Sequence, residues 1–196
     1  MQMQGFTAKD IQEATLLADK IWEDEYVNFD KKFAQTMAEY IIRCSFLNEE
    51  LALKITDNGI MNACILASEK NDIGNYAEWL KAQYKHMNEK ELARAKAMHA
   101  YFSNVSEKVH NAMNEDDLYL GLFVSNQAGC GKILMQEIIN LAKAKNLKNM
   151  YLWTDTTCDF DYYEKHNYIL VDTISNRHLQ NDYADYITYI YRKSII

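Results

Sequence analysis

Proline is absent from all 196 residues of this chain. Turns must therefore be made by Gly, Asn and Asp. Glycine is scarce as well, with six in total, so the short stretch SNQAGCG at 125–131, which holds two of them, stands out. The four cysteines, Cys44, Cys64, Cys130 and Cys158, are widely scattered and show no C-x-x-C pair, which argues against a cysteine-built metal site. No apolar run approaches the roughly 18 residues of a membrane span. The opening MQMQGFTAKDIQ has no basic start followed by an apolar stretch, so no signal peptide is expected. The expectation is a cytoplasmic protein with reduced thiols and no membrane association. Positive charge is in deficit, with 21 Lys and Arg against 28 Asp and Glu and a net charge of −7. A nucleic-acid partner, which needs a basic footprint, is not expected.

The remaining composition, 48% hydrophobic and 25% charged, is that of an ordinary soluble domain, and 1–196 reads as a single one. Thr7 to Asp10 signals a helix start, after which Ile11, Ala14, Ala18, Ile21 and Trp22 repeat at helical spacing. A second helix is expected after Asp30, with Phe33, Met37, Ile41 and Cys44 on one face. LALKITDNGIMNACILAS (51–68) reads as a hairpin turning on Asn58-Gly59. Residues 75–113 form a helical block, with a second cap at Asn88 to Glu91. This block contains His86, His99 and His110, but no pair has the i, i+4 spacing of a metal-binding helix face, so no metal is expected. LYLGLFV (118–124) and MYLWT (150–154) are strands flanking a helix marked by Ile133, Leu134, Ile138, Leu141 and Ala142. DFDYYEKHN (159–167) reads as a short helix, and 168–175 and 184–195 as a final strand pair. This order implies a mixed α/β (α+β) domain with one parallel strand–loop–helix–strand crossover and antiparallel flanks.

A glycine-bearing loop between a strand and a helix is an anion site in waiting, because unpaired amides point outward at the helix start. Gly131-Lys132 suggests the nucleotide loop G-x-x-x-x-G-K-[ST], but its first glycine falls on Asn126 and its hydroxyl on Ile133. The dinucleotide fingerprint fails at Leu134. Alone, the loop fits a plain strand-to-helix turn equally well.

The stretch from 118 to 168 resembles the GCN5-related N-acetyltransferase (GNAT) family. LYLGLFV is similar to that family's central strand, NQAGCG to its pyrophosphate loop R/Q-x-x-G-x-G/A, and DYYEKHNY to its F-Y-E-K-x-G-F segment. Two positions depart from the pattern: Asn126 stands where the family has Arg or Gln, with Gln127 one place off, and Asn167 replaces a glycine. The resemblance implies a twisted, mostly antiparallel sheet with the 75–113 block inserted, and acetyl transfer from acetyl-CoA to a primary amine. It implies that Asn126, Gln127, Ala128, Gly129, Cys130, Gly131 and Lys132 hold the pyrophosphate, largely through main-chain amides, and that Leu122, Phe123 and Val124 pair with the pantetheine arm. It makes Tyr163 the proton donor to the departing thiolate, Tyr162 its inward-packing neighbour, and Glu164 and Lys165 a solvated face. The general base is open among Glu115, Asp116, Asp117, Asp155 and a water-mediated route. The acceptor identity is open too, the helical block is expected to overlie its side, and a homodimer is compatible with the reading. The alternative is a non-catalytic relative that binds coenzyme A as a sensor or interaction module.

Overall fold

A computed structural model describes residues 1–158, 160–176 and 186–195. Asp159, Ala184 and Asp185 of the expected elements lie outside them. Helix α1 (Ile11–Ile21) is entered through Thr7, whose amide donates to the Asp10 carboxylate at 2.8 Å. Helix α2 (Lys31–Ser45) is capped by Asp30, which accepts from the Phe33 amide at 2.8 Å. The hairpin of β2 (Ala52–Asp57) and β3 (Ile60–Glu69) turns on Asn58 and Gly59, with φ of 51° and 80°. Those left-handed angles are what a two-residue turn between right-twisted strands demands.

The helical block holds α3 (Tyr76–Gln83) and the long α4 (Glu89–Ala112). Asn88 and Glu91 form the reciprocal cap expected, with bonds of 3.0 and 2.8 Å, worth about 1 kcal/mol. The spacing of Tyr76, Trp79, Leu80, Tyr84 and Met87 predicts one helix face, but Tyr84 and Met87 do not continue α3. A 3₁₀ turn covers Tyr84–His86, and Met87 and Asn88 are extended, because the cap of α4 requires a non-helical backbone just ahead of it. There follow β4 (Asp117–Ser125), α5 (Cys130–Ala144), β5 (Asn149–Asp155), α6 (Asp161–Lys165), β6 (Ile169–Ser175) and β7 (Ile187–Ser194). One strand has no counterpart in the expectations: β1 (Gln2–Gly5), fully exposed and held by main-chain pairing with β2. A polar QMQG tetrapeptide carries no periodic signal that would announce it.

The seven strands of the described residues form one sheet in the order β1-β2-β3-β4-β5-β7-β6, in which the β4–β5 pair is parallel and the other pairs are antiparallel. Helix α5 buries Cys130, Leu134, Ile138 and Ala142, an i, i+4 stripe, against Ile55, Ile65, Leu118, Leu120 and Leu152 on one face. The other face is covered by α1 and α2 over β2 and β3, and by α4 over Tyr119, Tyr151 and Ile190. The result is a three-layer domain, with α5 and α6 on one side and α1 to α4 on the other. No helix among the described residues is long and apolar enough to cross a membrane.

Candidate active site: a splayed strand pair beneath an uncapped helix

The feature that opens the sheet is in the middle of LYLGLFV. Along the β3–β4 ladder Leu66 pairs with Leu122 but Ala67 pairs with Leu120, so Gly121 is an extra, bulged residue. The bulge changes the phase of the strand. Leu118 and Leu120 face the α5 layer, as does Phe123, which touches Gly131, whereas Tyr119, Leu122 and Val124 face α1, α2 and α4. Gly121 packs directly under α2: a Cβ there would lie 3.2 Å from Ser45 Cβ and 3.3 Å from Ser45 Cα. Its carbonyl accepts from Ser45 Oγ at 3.2 Å. A glycine inside a strand is a sequence signal for a bulge, and it is the signal that motif reading passed over.

Past the bulge the two parallel strands part. Pairing of β4 with β5 covers Asp117–Tyr119 against Asn149–Tyr151 and then stops, although β4 continues to Ser125 and β5 to Asp155. Beyond that point β5 pairs with β7 on its far side. A wedge is left between the two strand ends. Helix α5 packs on β2, β3 and β4, while α6 touches β6 and lays Tyr163 on Tyr191 of β7. The wedge therefore opens between α5 and α6 on that face.

The loop beside the wedge is pinned at its start and bare at its end. The Asn126 amide donates to Asn62 O at 3.0 Å, the Gln127 amide to Ser125 Oγ at 3.3 Å, and Cys130 closes a turn onto Gln127 O at 3.4 Å. Gly129 is the N-cap of α5 with φ of +87°, a left-handed conformation that glycine adopts without strain, and no side chain caps the helix. The amides of Gly131 and Lys132 lie in the first turn, where no carbonyl four residues back is helical. Asn126, Gln127, Ala128, Gly129 and Lys132 are exposed. Cys130 is fully buried in the core, so only its main chain can meet a ligand. Phe123 lies against Gly131, where a Cβ would come within 2.7 Å of its ring. An uncapped helix N-terminus, a row of amides and one lysine suit an oxyanion such as the coenzyme pyrophosphate.

Across the wedge, Tyr163 is half-buried, stacked on Tyr191 with ring centroids 5.4 Å apart and edge-on to Tyr168 at 5.2 Å. Burial, joined by the Glu164 carboxylate, pushes the Tyr191 hydroxyl up to about 12. Burial likewise raises Tyr168. These neighbours are thus neutral phenols at ordinary pH. Tyr162 is not the inward residue that was expected. It is 45% exposed and stacks on His166 at 3.9 Å, while Tyr163 turns to the core. In a five-residue helix docking rather than periodicity decides which neighbour points inward. Lys165 is exposed beside Asp161 at 3.5 Å, and exposed Glu164 accepts weakly from Tyr191 at 3.4 Å.

The four carboxylates separate by position. Glu115 and Asp116 are held outside the sheet, by Asn71 and Lys70 and by Lys148 respectively. The Lys148 ammonium keeps Asp116 below the usual carboxylate range. Asp117 is fully buried and accepts four bonds, from the amides and side chains of Asn114 (2.8 and 3.2 Å) and Asn149 (3.2 and 2.7 Å). It pins the closed end of the wedge, five residues or about 16 Å from Leu122. Asp155 ends β5 at the open end. It is buried and accepts from Tyr186 Oη at 2.7 Å, the Thr157 amide at 2.9 Å and Thr157 Oγ1 at 2.5 Å.

This topology has counterparts among solved structures. The chain superposes on Ard1 from Thermoplasma volcanium with a TM-score of 0.56 at 13% identity, covering 100% of this chain and 97% of that one. It superposes on the ribosomal-protein-S18-alanine N-acetyltransferase from Escherichia coli with a TM-score of 0.56 at 13% identity, covering 99% and 93%. An aminoglycoside 6′-N-acetyltransferase complexed with coenzyme A matches with a TM-score of 0.55 at 13% identity, covering 100% and 98%. Neither a protein-family model nor a curated protein sequence matches the chain. At these identities the likeness is one of fold, and the fold is that of the GCN5-related N-acetyltransferases.

Proposed function

We propose that this chain, built on the GCN5-related N-acetyltransferase fold, transfers an acetyl group from acetyl-CoA directly to a primary amine. The observation that carries the reading is the coincidence of an uncapped, glycine-bearing helix start with an unpaired strand edge at the same wedge. The amides of Ala128, Gly129, Gly131 and Lys132, with the Lys132 ammonium nearby, bind the coenzyme pyrophosphate. The β4 edge over Leu122, Phe123 and Val124 offers main-chain groups to the pantetheine amides and to the thioester carbonyl. Acetyl-CoA supplies an activated acyl group with a thiolate leaving group. Tyr163 hands that thiolate a proton, a role open to a phenol because its hydroxyl is a donor. Of the four carboxylates, Asp155 is the one at the open end, and we assign it the acceptor's proton, directly or through water. The α3–α4 block covers the face opposite α5, where an amine would approach, and sets acceptor preference.

A second reading, coenzyme binding without turnover, is favoured by one observation: both Asp155 oxygens already accept hydrogen bonds. Thiol release from acetyl-CoA across a panel of amines separates the two. Turnover with at least one amine is expected, with Tyr163→Phe lowering kcat while leaving acetyl-CoA affinity intact. Binding with no turnover on any amine would establish the second reading, and unchanged kcat in the variant would remove Tyr163 from its role.

A further inference from the structure

The helical block does more than cover a face. Between α4, the end of α2 and the β3–α3 connection there is a cleft of about 320 Å³, with Tyr119 at its floor. That volume lies within the range of small-molecule pockets, roughly 300–1,000 Å³. The cleft is on the layer opposite α5 and beside the closed end of the wedge, since Tyr119 belongs to the last β4–β5 pair. Helix α4 presents to it a polar strip, Ser103, Ser106, Glu107 and His110, in a register one step from the apolar stripe Tyr101, Val105 and Val109 that packs on the sheet.

The free polar groups of this cleft are mostly acceptors. Lys70, the basic side chain in the lining, is turned away to the Met113 carbonyl at 2.6 Å and to Glu115 at 3.8 Å. Asp72 takes the Asn48 side chain and the Glu69 amide, both at 2.8 Å, on one oxygen, and its other oxygen is unengaged among the described residues. Glu107 has no ion-pair or hydrogen-bond partner among them. His110 Nδ1 sits 2.6 Å from the Ser106 carbonyl, which can only accept, so Nδ1 carries a proton and the ring is fixed against its own helix. Tyr76 and Leu47 add apolar wall.

We infer that this cleft is a binding site for a small organic ammonium ion, whose N–H groups meet Glu107 and the free oxygen of Asp72 while its carbon chain lies on Tyr119 and Tyr76. An anion would meet two carboxylates and a single lysine already engaged by a carbonyl and a carboxylate, and an apolar ligand would strand these acceptors without donors. The inference holds whether or not the chain transfers acetyl groups, and nothing in the coenzyme site contributes to it.

The test is calorimetric titration of the full chain with 1,4-diaminobutane, with butane-1,4-diol as an uncharged control of the same length. Saturable 1:1 binding of the diamine and none of the diol is expected. Glu107→Gln weakens it about tenfold, the loss of one charge-assisted hydrogen bond. Ser103→Phe, which drives a ring into the cleft from an exposed helix position, abolishes it. Acetyl-CoA binding and melting temperature of Glu107→Gln stay at wild-type values. Absence of diamine binding overturns the proposal, as does equal binding of the diol. Diamine binding that both variants leave unchanged also overturns it, since the amine then sits elsewhere, the acetyl-acceptor position included.

Discussion

Replacing Asp117 with asparagine separates a structural carboxylate from a chemical one. In the folded chain one Asp117 oxygen accepts both Asn114 donors and the other accepts both Asn149 donors. An asparagine keeps a single acceptor oxygen, and its NH₂ must face one of those donor pairs. Two buried hydrogen bonds are lost and two donors are left unpaired. Each buried unmade bond costs about 1–3 kcal/mol, so about 2–6 kcal/mol is expected in total. A domain of this size loses roughly 2–4 °C of melting temperature per kcal/mol, which sets the drop at about 4–24 °C. Activity should behave differently. Asp117 stands at the closed end of the wedge, so kcat/KM at 20 °C, per folded molecule and with an amine found active, should stay within about threefold of wild type. Thermal melting and thiol release measure the two quantities. An unaltered melting temperature would refute the pinning role. A loss of about a hundredfold or more, the size of a general-base effect, in a normally stable variant would show that the site lies at the other end of the strands.

Gly121→Ala should destabilise the chain by about 1–3 kcal/mol, because the new Cβ meets Ser45 Cα and Cβ at 3.2–3.3 Å and neither can swing aside; urea unfolding checks this, and an unchanged midpoint would remove the bulge contact from the account. Acid should act through Asp10. Burial raises its carboxyl, but the Lys54 ammonium at 2.5 Å and the Thr7 amide and hydroxyl outweigh this and hold it below the usual value of 3.8. Its contribution is therefore full above about pH 4 and fades as pH falls through the depressed folded value. The urea midpoint of Asp10→Asn should lie below wild type at pH 7, and the gap should narrow progressively as the pH falls below about 4. A gap that widened in acid would contradict the assignment.

Much of the frame was readable where local chemistry and tertiary context agree. The Asn88–Glu91 cap, the Asn58-Gly59 turn and the strand–loop–helix at 118–144 all follow from backbone preferences that the fold keeps. The FYEK-like run singled out Tyr163 among fourteen tyrosines, although the roles of Tyr162 and Tyr163 depend on how a single helical turn docks. β1 was invisible because its stability comes from the edge of β2 and not from its own side chains. The choice among carboxylates was closed to sequence for a topological reason. Asp117 and Asp155 each bound a strand, and which strand end is open depends on where the β4–β5 ladder stops. That point lies just before the bulged Gly121, which packs on Ser45 of a helix more than seventy residues earlier.

The central claim is that the start of α5 holds the coenzyme through its amides, and Ala128→Glu tests it most directly. Ala128 is exposed in the loop, so the substitution leaves the core intact while placing a carboxylate where the pyrophosphate is to sit. Calorimetric titration with acetyl-CoA should show saturable binding to the wild-type chain and at least tenfold weaker binding to the variant, with equal melting temperatures of the two unliganded proteins. Acetyl-CoA binding that the added carboxylate leaves unchanged, or no binding to the wild-type chain, would contradict the account.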